Sequence, residues 1–199
     1  RGMIPANSKI IDKKNILLFL GSNFHHVIYP VSPSGDLNLI AIMKYKLSAD
    51  EQKNYSSFSD KSFIQRILDN IPQENKEFFR NLKELKIFPV FVSDNFFEVK
   101  NKNIYLIGDA FFAFPPSFAQ GASQSIEGAY ELFESIENSK TDFFIRRINK
   151  TKMVNNRSKL NQFAFHLSNP LTAYLRNIFL KKIVRNQKFL ESYLGKIYR

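Results

Sequence analysis

One short apolar run constrains the fold of this chain more than any other feature. Ile104-Tyr105-Leu106-Ile107 is apolar on both of the faces that an extended chain presents, which is typical of a strand covered on both sides in a parallel sheet. A parallel strand needs parallel neighbours joined by crossover connections, and the sequence upstream supplies none. We therefore expect either a very small sheet or a chain that forms part of a larger protein.

The residues after this run have the pattern of a ligand site. Gly108 would allow close backbone approach at the carboxyl end of a strand, where open α/β sheets bind ligands. Asp109 would accept hydrogen bonds from ligand hydroxyls, such as those of a ribityl chain. A helix then starts at Gln120-Gly121-Ala122-Ser123, whose N–H groups would face an anion or the carbonyl edge of a flat ring. The alternative is a Gly-Asp turn that feeds a helix and serves packing alone.

The predicted helix has one apolar face. Its apolar residues follow one another at spacings of 4, 3, 4 and 3 positions, which is typical of a helix that packs one side against a sheet. We expect this face to lie against the strand at 104–107 and its neighbours. The residues are Ala122, Ile126, Ala129, Phe133 and Ile136.

The first part of the chain has the pattern of an antiparallel sheet. Apolar residues alternate between Asn15 and Leu47, which predicts paired strands. Proline and glycine within Ser32–Asp36 predict the turn of a hairpin. Pro30 lies inside the second strand and indicates an edge, a bulge or a site position. The predicted strands are Leu17–Leu20, His26–Val31 and Leu37–Met43.

Most of the remaining chain is predicted to be helical. Apolar residues at helical spacing indicate the helices, and prolines indicate where they end. The last helical region is broken near Asn169-Pro170. The predicted elements are helices over Asp60–Ile71 and Glu74–Leu85, a strand over Phe88–Val92, and helix from about Gln120 almost to the last residue.

Charge is distributed unevenly in this chain of net charge +11. Residues 146–199 contain 13 Lys and Arg and one acid, whereas residues 1–145 contain 16 bases and 17 acids. A basic tail suggests an anionic partner, either membrane headgroups or nucleic acid, and the other interpretation is a solvated helical surface. The absence of cysteine excludes disulfides and thiolate metal sites. The three histidines predict no metal site, because His25 and His26 would point to opposite faces of a strand.

The region around Gly108 resembles the second FAD-binding motif of the class A flavoprotein monooxygenases, the aromatic-hydroxylase family. The family motif runs L-I-G-D-A-A-H, then P, then G-Q-G-A-N, then an A-I-E-D-A helix. The matching segments here are Leu106–Ala110, Pro116, Gln120–Ser123 and Ser125–Ala129. Weaker similarity covers the rest of the chain, at Arg1–Pro5, His26–Val31, Arg147–Asn161, Pro170 and Arg176-Asn177.

The resemblance implies a role for each matching residue. Gly108 and Asp109 would contact the ribityl chain of FAD, and Pro116 would lie beside the isoalloxazine ring. The pyrimidine end of the ring would be lined by Gln120, Gly121, Ala122 and Ser123. For the substrate we expect Tyr29 and Pro30 on the sheet that roofs the pocket, together with Phe112 and Phe114.

The sequence departs from the family pattern at four positions. Phe112 replaces the family's His, Ala119 its first loop Gly, Ser123 its Asn, and Gly128 its helix Asp. Phe112 makes the region more apolar, which indicates a lipophilic substrate or only a packing change. Ala119 would be tolerated only with a negative φ.

The resemblance implies an enzyme, an FAD-dependent monooxygenase that hydroxylates an aromatic or quinone-precursor substrate with NAD(P)H and O₂. No G-x-G-x-x-G occurs among the seven glycines, so we expect the C-terminal half of such an enzyme. The ADP part of FAD would then be held by a missing N-terminal segment or a partner chain. No catalytic residue is assigned.

The expected fold is α/β, or α+β within this fragment. We expect part of a substrate-binding domain with an antiparallel sheet over 1–100, and the C-terminal part of a Rossmann-like FAD-binding domain with terminal helices over 101–199. We expect a cytoplasmic protein. Peripheral contact with the inner membrane through the basic helices is an open alternative. The alternatives are a related flavoprotein of the reductase or halogenase type, or a non-catalytic basic module that binds a membrane surface or, less favoured, nucleic acid.

Overall fold

The structure, a computed structural model, describes residues 1–5, 14–80, 82–96, 99, 104–195 and 197. The chain is a mixed α and β protein, with one four-stranded antiparallel sheet and seven α-helices in the described part. It divides into two compact units. The first comprises Arg1–Pro89 with Phe165–Pro170, and the second Val90–Ala164 with Leu171–Arg199. The Rossmann-like character expected for the later part stays a prediction.

The first unit is built on the antiparallel sheet that the alternating pattern predicts. The strands are β1 (Gly2–Ile4), β2 (Leu17–Gly21), β3 (Phe24–Pro30) and β4 (Leu37–Met43). Their order across the sheet is β1-β4-β3-β2, and every neighbouring pair is antiparallel. Gly35, with φ 89°, permits the hairpin turn between β3 and β4, and the Val31 N–H donates to the Asp36 carbonyl at 3.1 Å to close it. The three predicted strands are confirmed.

Pro30 is accommodated because it lies beyond the paired part of β2. The register of β2 with β3 starts at Leu17 opposite Ile28. Pro30 is opposite Leu37 of β4 and ends its strand. Its missing N–H therefore leaves no gap in the ladder with β2.

One face of the sheet forms the core of this unit. Alternate residues of the strands point to that face, and helical residues that follow later in the chain cover it. The buried members are Ile4, Ile28, Leu37 and Leu39, and the partly buried residues packed against them include Phe19, Phe78, Phe79 and Leu82.

Three short helices follow the sheet, α1 (Ala49–Lys53), α2 (Lys61–Asp69) and α3 (Lys76–Phe79). α1 begins with a capping box between Ser48 and Glu51. The Asp60 carboxylate caps α2 by accepting the Ser62 N–H at 2.6 Å. These caps satisfy N–H groups that a helix start otherwise leaves free, and the helix predicted over Asp60–Ile71 is confirmed.

The helix predicted over Glu74–Leu85 is wrong beyond α3. A 3₁₀ turn, Gln73–Asn75, precedes α3, and the helix ends at Phe79. Lys83 instead exchanges two backbone hydrogen bonds with Met3 of β1, at 2.8 and 2.9 Å. The sheet edge thus takes the N–H and carbonyl that a longer helix would have used.

Neither of the two later predicted strands has a strand partner among the described residues. The segment Phe88–Val92 is not a strand, and Phe91 is 64% exposed. Ile107 is extended, with φ −133° and ψ 166°, but residues 104–107 pair with no described strand. The expected burial of this run on both faces is wrong for the described structure, since Ile104 and Tyr105 are about half exposed.

The second unit is largely helical, as predicted. Its helices are α4 (Gly121–Glu137), α5 (Phe143–Phe165), α6 (Pro170–Ile183) and α7 (Gln187–Gly195). The predicted break near Asn169-Pro170 is confirmed, because α6 starts at Pro170, where a missing N–H costs no helix bond. Within the described part of the chain, every helix is too short or too polar to cross a membrane.

The orientation of α4 contradicts the prediction. Its buried residues are Gln124, Gly128 and Ser135. The predicted apolar face points to solvent, with Ile126 73% and Phe133 62% exposed. The helix was expected to turn these residues inward, and the buried network described below explains the difference.

The adjacent histidines of β3 point to opposite faces, as predicted. His25 Nδ1 lies 2.7 Å from His166 Nε2, so one of the two rings donates and the other accepts. His26 stacks on Phe19 with ring centroids 4.5 Å apart, and neither of its ring nitrogens has a hydrogen-bond partner among the described residues. Burial lowers the pKa of His25 to about 4, with further lowering by His166 and His26, and burial alone lowers the pKa of His26 to about 4.

These histidines make the first unit sensitive to acid. The unfolded chain takes up their protons near pH 6.5, whereas the folded chain does so only near pH 4. The contribution of these two rings to the free energy of unfolding should therefore be constant above pH 6.5 and fall between pH 6.5 and 4, by roughly 2–3 kcal/mol for each histidine. His26→Phe should remove one such contribution and, because it replaces an unpartnered imidazole, raise stability at pH 7.5 by about 1–2 kcal/mol.

His25→Phe is the matched control, because it removes one acid-sensitive ring but also the partner of His166. It should lower stability at pH 7.5 by about 1 kcal/mol. Urea unfolding at pH 7.5 and 5 measures both variants. Destabilisation of His26→Phe at pH 7.5 would contradict the unpartnered state of His26.

Candidate functional site

The Gly-Asp pair forms a tight turn against the start of α4. Gly108 opens a single 3₁₀ turn, Gly108–Ala110, with φ 58°. Its carbonyl accepts the N–H groups of Phe111 and Phe112, each at 3.0 Å. A Cβ on Gly108 would lie 2.9 Å from Ser125 Oγ. Glycine is thus required here both by the left-handed backbone and by the close approach of α4.

Asp109 is at the outer side of this turn. It is exposed, and among the described residues no hydrogen bond or ion pair engages its carboxylate. Its negative charge therefore has no packing or pairing role in the described structure. It is available to accept hydrogen bonds from a ligand.

The loop before α4 places Ala119 in the left-handed conformation, although a negative φ was expected there. Pro116–Phe118 forms a 3₁₀ turn, and Ala119 ends it with φ 51° and ψ 32°. The expectation of a negative φ at Ala119 is wrong. The Ala119 N–H donates to the Pro116 carbonyl at 3.0 Å, so closing this turn holds Ala119 in a region that costs a side-chain-bearing residue about 1–2 kcal/mol.

The start of α4 leaves its first N–H groups uncapped by a side chain. Gln120 is the N-cap residue and is buried, but its side chain makes no cap hydrogen bond. Gly121 borders open space, since an added Cβ would meet no atom within 4 Å. Ala122 is exposed and Ser123 half-buried. An uncapped helix start beside open space is a suitable place for an anion or a carbonyl oxygen.

A buried arginine holds α5 against α4. Arg147 is only 4% exposed, and its Nη2 donates to the carbonyl and side-chain oxygens of Gln124 at 3.0 and 2.9 Å. Its Nη1 lies 3.4 Å from Glu131 and 3.7 Å from Glu127 carboxylate oxygens. Gly128 leaves room for the guanidinium, since a Cβ there would lie 3.4 Å from Arg147 Nε. Glycine at position 128, where the similar family has Asp, therefore allows α5 to approach α4 closely.

A small cavity lies behind the Gly108 turn, between the turn, α4 and α5. Its volume is about 10 Å³, which has room for about one water molecule. The Thr151 hydroxyl on its wall has no hydrogen-bond partner among the described residues. Ring-sized ligands need roughly 300 Å³ or more, so any flavin ring would lie on the open side of the turn. The lining includes Leu106, Phe111, Phe112, Phe114, Ser125 and Phe143.

The C-terminal helices support the Pro116 loop. The Asn161 side chain of α5 donates to the Ser117 carbonyl at 3.5 Å and accepts the Tyr193 hydroxyl at 3.2 Å. Arg157 lies over the Tyr193 ring and donates to the Tyr193 carbonyl. Burial raises the pKa of the Tyr193 hydroxyl. Arg157 and Asn161, in the segment that resembles the family's basic helix, therefore have a structural role.

The structure places the four predicted substrate residues in different surroundings. On β3 in the first unit, Tyr29 is half-buried and Pro30 is exposed. In the second unit Phe112 is buried, and its ring centroid lies 4.9 Å from that of Phe96 and 5.4 Å from that of Phe114. Phe112 and Phe114 thus pack beside the Gly108 turn, and the substrate role of all four residues stays a prediction.

The predicted cofactor residues are brought together on one side of the second unit. The Gly108–Ala110 turn packs on the first turns of α4, and the Pro116 loop leads directly into that helix. Sequence reasoning missed Arg147 as a buried residue. A usable signal was the pair Glu127 and Glu131, one turn apart on α4 and in reach of a basic helix.

Comparison with known proteins identifies no family for this chain. No family model matches it, and no curated protein matches it.

Ala119→Gly should stabilise the chain by about 1 kcal/mol, because glycine adopts the left-handed conformation of this loop without strain. Chemical denaturation followed by circular dichroism measures the change. Ala129→Gly, inside α4, is the matched control and should destabilise by about 1 kcal/mol. Equal destabilisation by both variants would contradict strain at Ala119.

Arg147→Met should lower the free energy of unfolding by about 3 kcal/mol, because it leaves the buried Gln124 oxygens and the partly buried Glu131 carboxylate without their partner. Glu127 keeps a second cation, Lys150, at 3.0 Å.

Arg146→Met is the matched control. Arg146 is half-buried, pairs with the exposed Asp142 at 3.1 Å and donates one hydrogen bond to Ser135 Oγ at 3.0 Å, so its loss should cost only about 1 kcal/mol. The same denaturation experiment compares the two, and similar losses would refute the special role of Arg147.

Proposed function

We propose that this chain carries the flavin-ring half of an FAD-dependent monooxygenase that hydroxylates an aromatic or quinone-precursor substrate with NAD(P)H and O₂. The observation that carries the proposal is the exposed, unengaged carboxylate of Asp109 beside the uncapped start of α4. The resemblance of Leu106–Ala129 to the family motif supports the same assignment.

The residues present fit the ring and ribityl part of FAD. Gly108 brings the backbone of the turn close to α4, which leaves Asp109 at its outer side. Gly121 and Ala122 leave the space next to the helix start open. A bound flavin would thus find an acceptor for its hydroxyls and donors for its ring carbonyls in one place.

Each residue has a distinct part in this site. FAD, when bound, would supply hydride and oxygen chemistry. Asp109 would accept hydrogen bonds from the ribityl hydroxyls and fix the ligand along the turn. The N–H groups at the start of α4 would donate to the pyrimidine end of the ring and, with the helix dipole, stabilise negative charge there. Pro116, exposed at the start of its 3₁₀ turn, would flank the ring.

Two exposed apolar surfaces support the view that a further polypeptide segment completes this domain. Residues 104–107 pair with no described strand, Ile107 is extended, and the side chains of Ile104, Tyr105 and Ile107 are about half exposed. The outer face of α4 exposes four large apolar residues, Ile126, Tyr130, Phe133 and Ile136. A strand beside 104–107 and a sheet beneath this face would produce the Rossmann-like arrangement that the sequence predicts. That segment, in the same protein or in a partner chain, would also supply the glycine-rich turn that grips the ADP part.

Asp109→Ala tests the ligand role of the carboxylate. The chain is co-produced with the segment that carries the glycine-rich turn, and flavin content is read from the visible absorbance of the purified complex. We expect flavin affinity to fall about tenfold or more, because charged hydrogen bonds to the ligand are lost, while the folded state survives. Asp94→Ala, at another exposed aspartate of the same unit, should leave flavin content unchanged.

Ile126→Asp serves as the assembly control in the same experiment. Since Ile126 is 73% exposed, the chain should fold normally but fail to join the completing segment. Lys152→Asp, on exposed α5 surface, should still assemble. A colourless, fully assembled and folded wild-type complex would overturn the proposed function.

A further inference from the structure

α6 presents an apolar face to solvent. No residue of this helix is buried, and five large apolar side chains are roughly half to two-thirds exposed. Their spacing follows positions i, i+3, i+4, i+7 and i+8, which places them on one face. They are Leu171, Tyr174, Leu175, Ile178 and Phe179.

The opposite side of α6 holds the helix to its unit. Arg176 Nη1 donates to the carbonyl of Ala164 in α5 at 3.1 Å. Ala173, Leu180 and Ile183 on this side are half-buried. The apolar face is therefore not the one that anchors α6, and about half or more of the surface of each of its five side chains stays in contact with water.

Basic residues continue the same surface beyond the apolar face. Lys182 follows Ile178 by four positions and Lys181 follows Tyr174 by seven, which puts both on the apolar side of the helix. Lys181, Lys182, Arg185 and Lys188 are all exposed, and no acid occurs between Pro170 and Leu190. An anionic surface with an apolar interior complements both parts of this helix.

We propose that α6 binds the surface of an anionic lipid bilayer, with its apolar face immersed among the acyl chains and its basic end at the headgroups. The 14 residues of α6 extend about 21 Å, less than the ~30 Å hydrocarbon core, so the helix lies in the interface. Nucleic acid would neutralise the lysines but leave the apolar side chains in water. This inference is independent of the flavin site.

Vesicle co-sedimentation of the full chain tests the proposal. Vesicles of phosphatidylcholine alone are compared with vesicles that also contain phosphatidylglycerol, at low and high salt. We expect binding to the anionic vesicles, and weaker binding at high salt because exposed charges are screened. Lys181→Gln/Lys182→Gln should weaken it about 25-fold, since each surface lysine contributes about a factor of five.

Ile178→Ser/Phe179→Ser tests the apolar part and should lower vesicle affinity at least about tenfold. Leu160→Ser/Phe163→Ser is the matched control, because both residues are exposed on α5, and it should bind vesicles like wild type. Circular dichroism verifies that every variant is folded.

Three results would overturn the proposal. These are no binding to anionic vesicles, equal loss in the α5 control, and binding to an oligonucleotide without binding to vesicles. A fourth result would come from the same vesicle test on the complex of this chain with the segment that completes the FAD domain. Loss of vesicle binding on assembly would identify α6 as a protein interface instead.

Discussion

The buried guanidinium of Arg147 determines how the second unit is arranged. A charge taken out of water must be paired and hydrogen-bonded, or it costs several kcal/mol. The partners are Gln124, Glu127 and Glu131, which all lie on one side of α4. That side must face α5, so the apolar side of α4 must face outward. The start of α4 lies next to the Gly108 turn through the close approach of Ser125 to Gly108.

This arrangement leaves the second unit with apolar surface that its own described residues do not cover. Two examples, the outer face of α4 and the apolar face of α6, differ in what surrounds them. The α4 face occurs together with the segment 104–107, whose backbone has no described ladder partner, and this combination suits a sheet. The α6 face is followed by four exposed basic residues and no acid, and this combination suits an anionic bilayer. Charge and backbone pairing, more than apolar area, distinguish the two kinds of partner.

The sequence predicted elements whose stability is local and missed those decided by distant residues. The strands of the sheet and α2 were predictable because alternation, turn glycine and caps lie within each segment. The predicted continuation of the helix beyond Phe79 was wrong because Met3 pairs with Lys83, a contact across 80 positions. The prediction of which face of α4 is buried was wrong, because apolar periodicity indicates a buried face only when no buried charge competes for the interior. The predicted cofactor residues do lie together, since a motif with fixed spacing folds largely within itself.

The residues of the candidate site carry unequal weight as signs of a ligand. Gly108 is explained by its positive φ and by Ser125, so it would be needed even without a cofactor. Ala119 keeps a strained left-handed backbone although glycine would relieve it, and such strain commonly accompanies functional loops. Asp109 contributes nothing to packing or pairing in the described structure. Its exposed carboxylate is available to accept hydrogen bonds from a ligand, so the flavin proposal depends on Asp109 more than on the glycine that makes the motif recognisable.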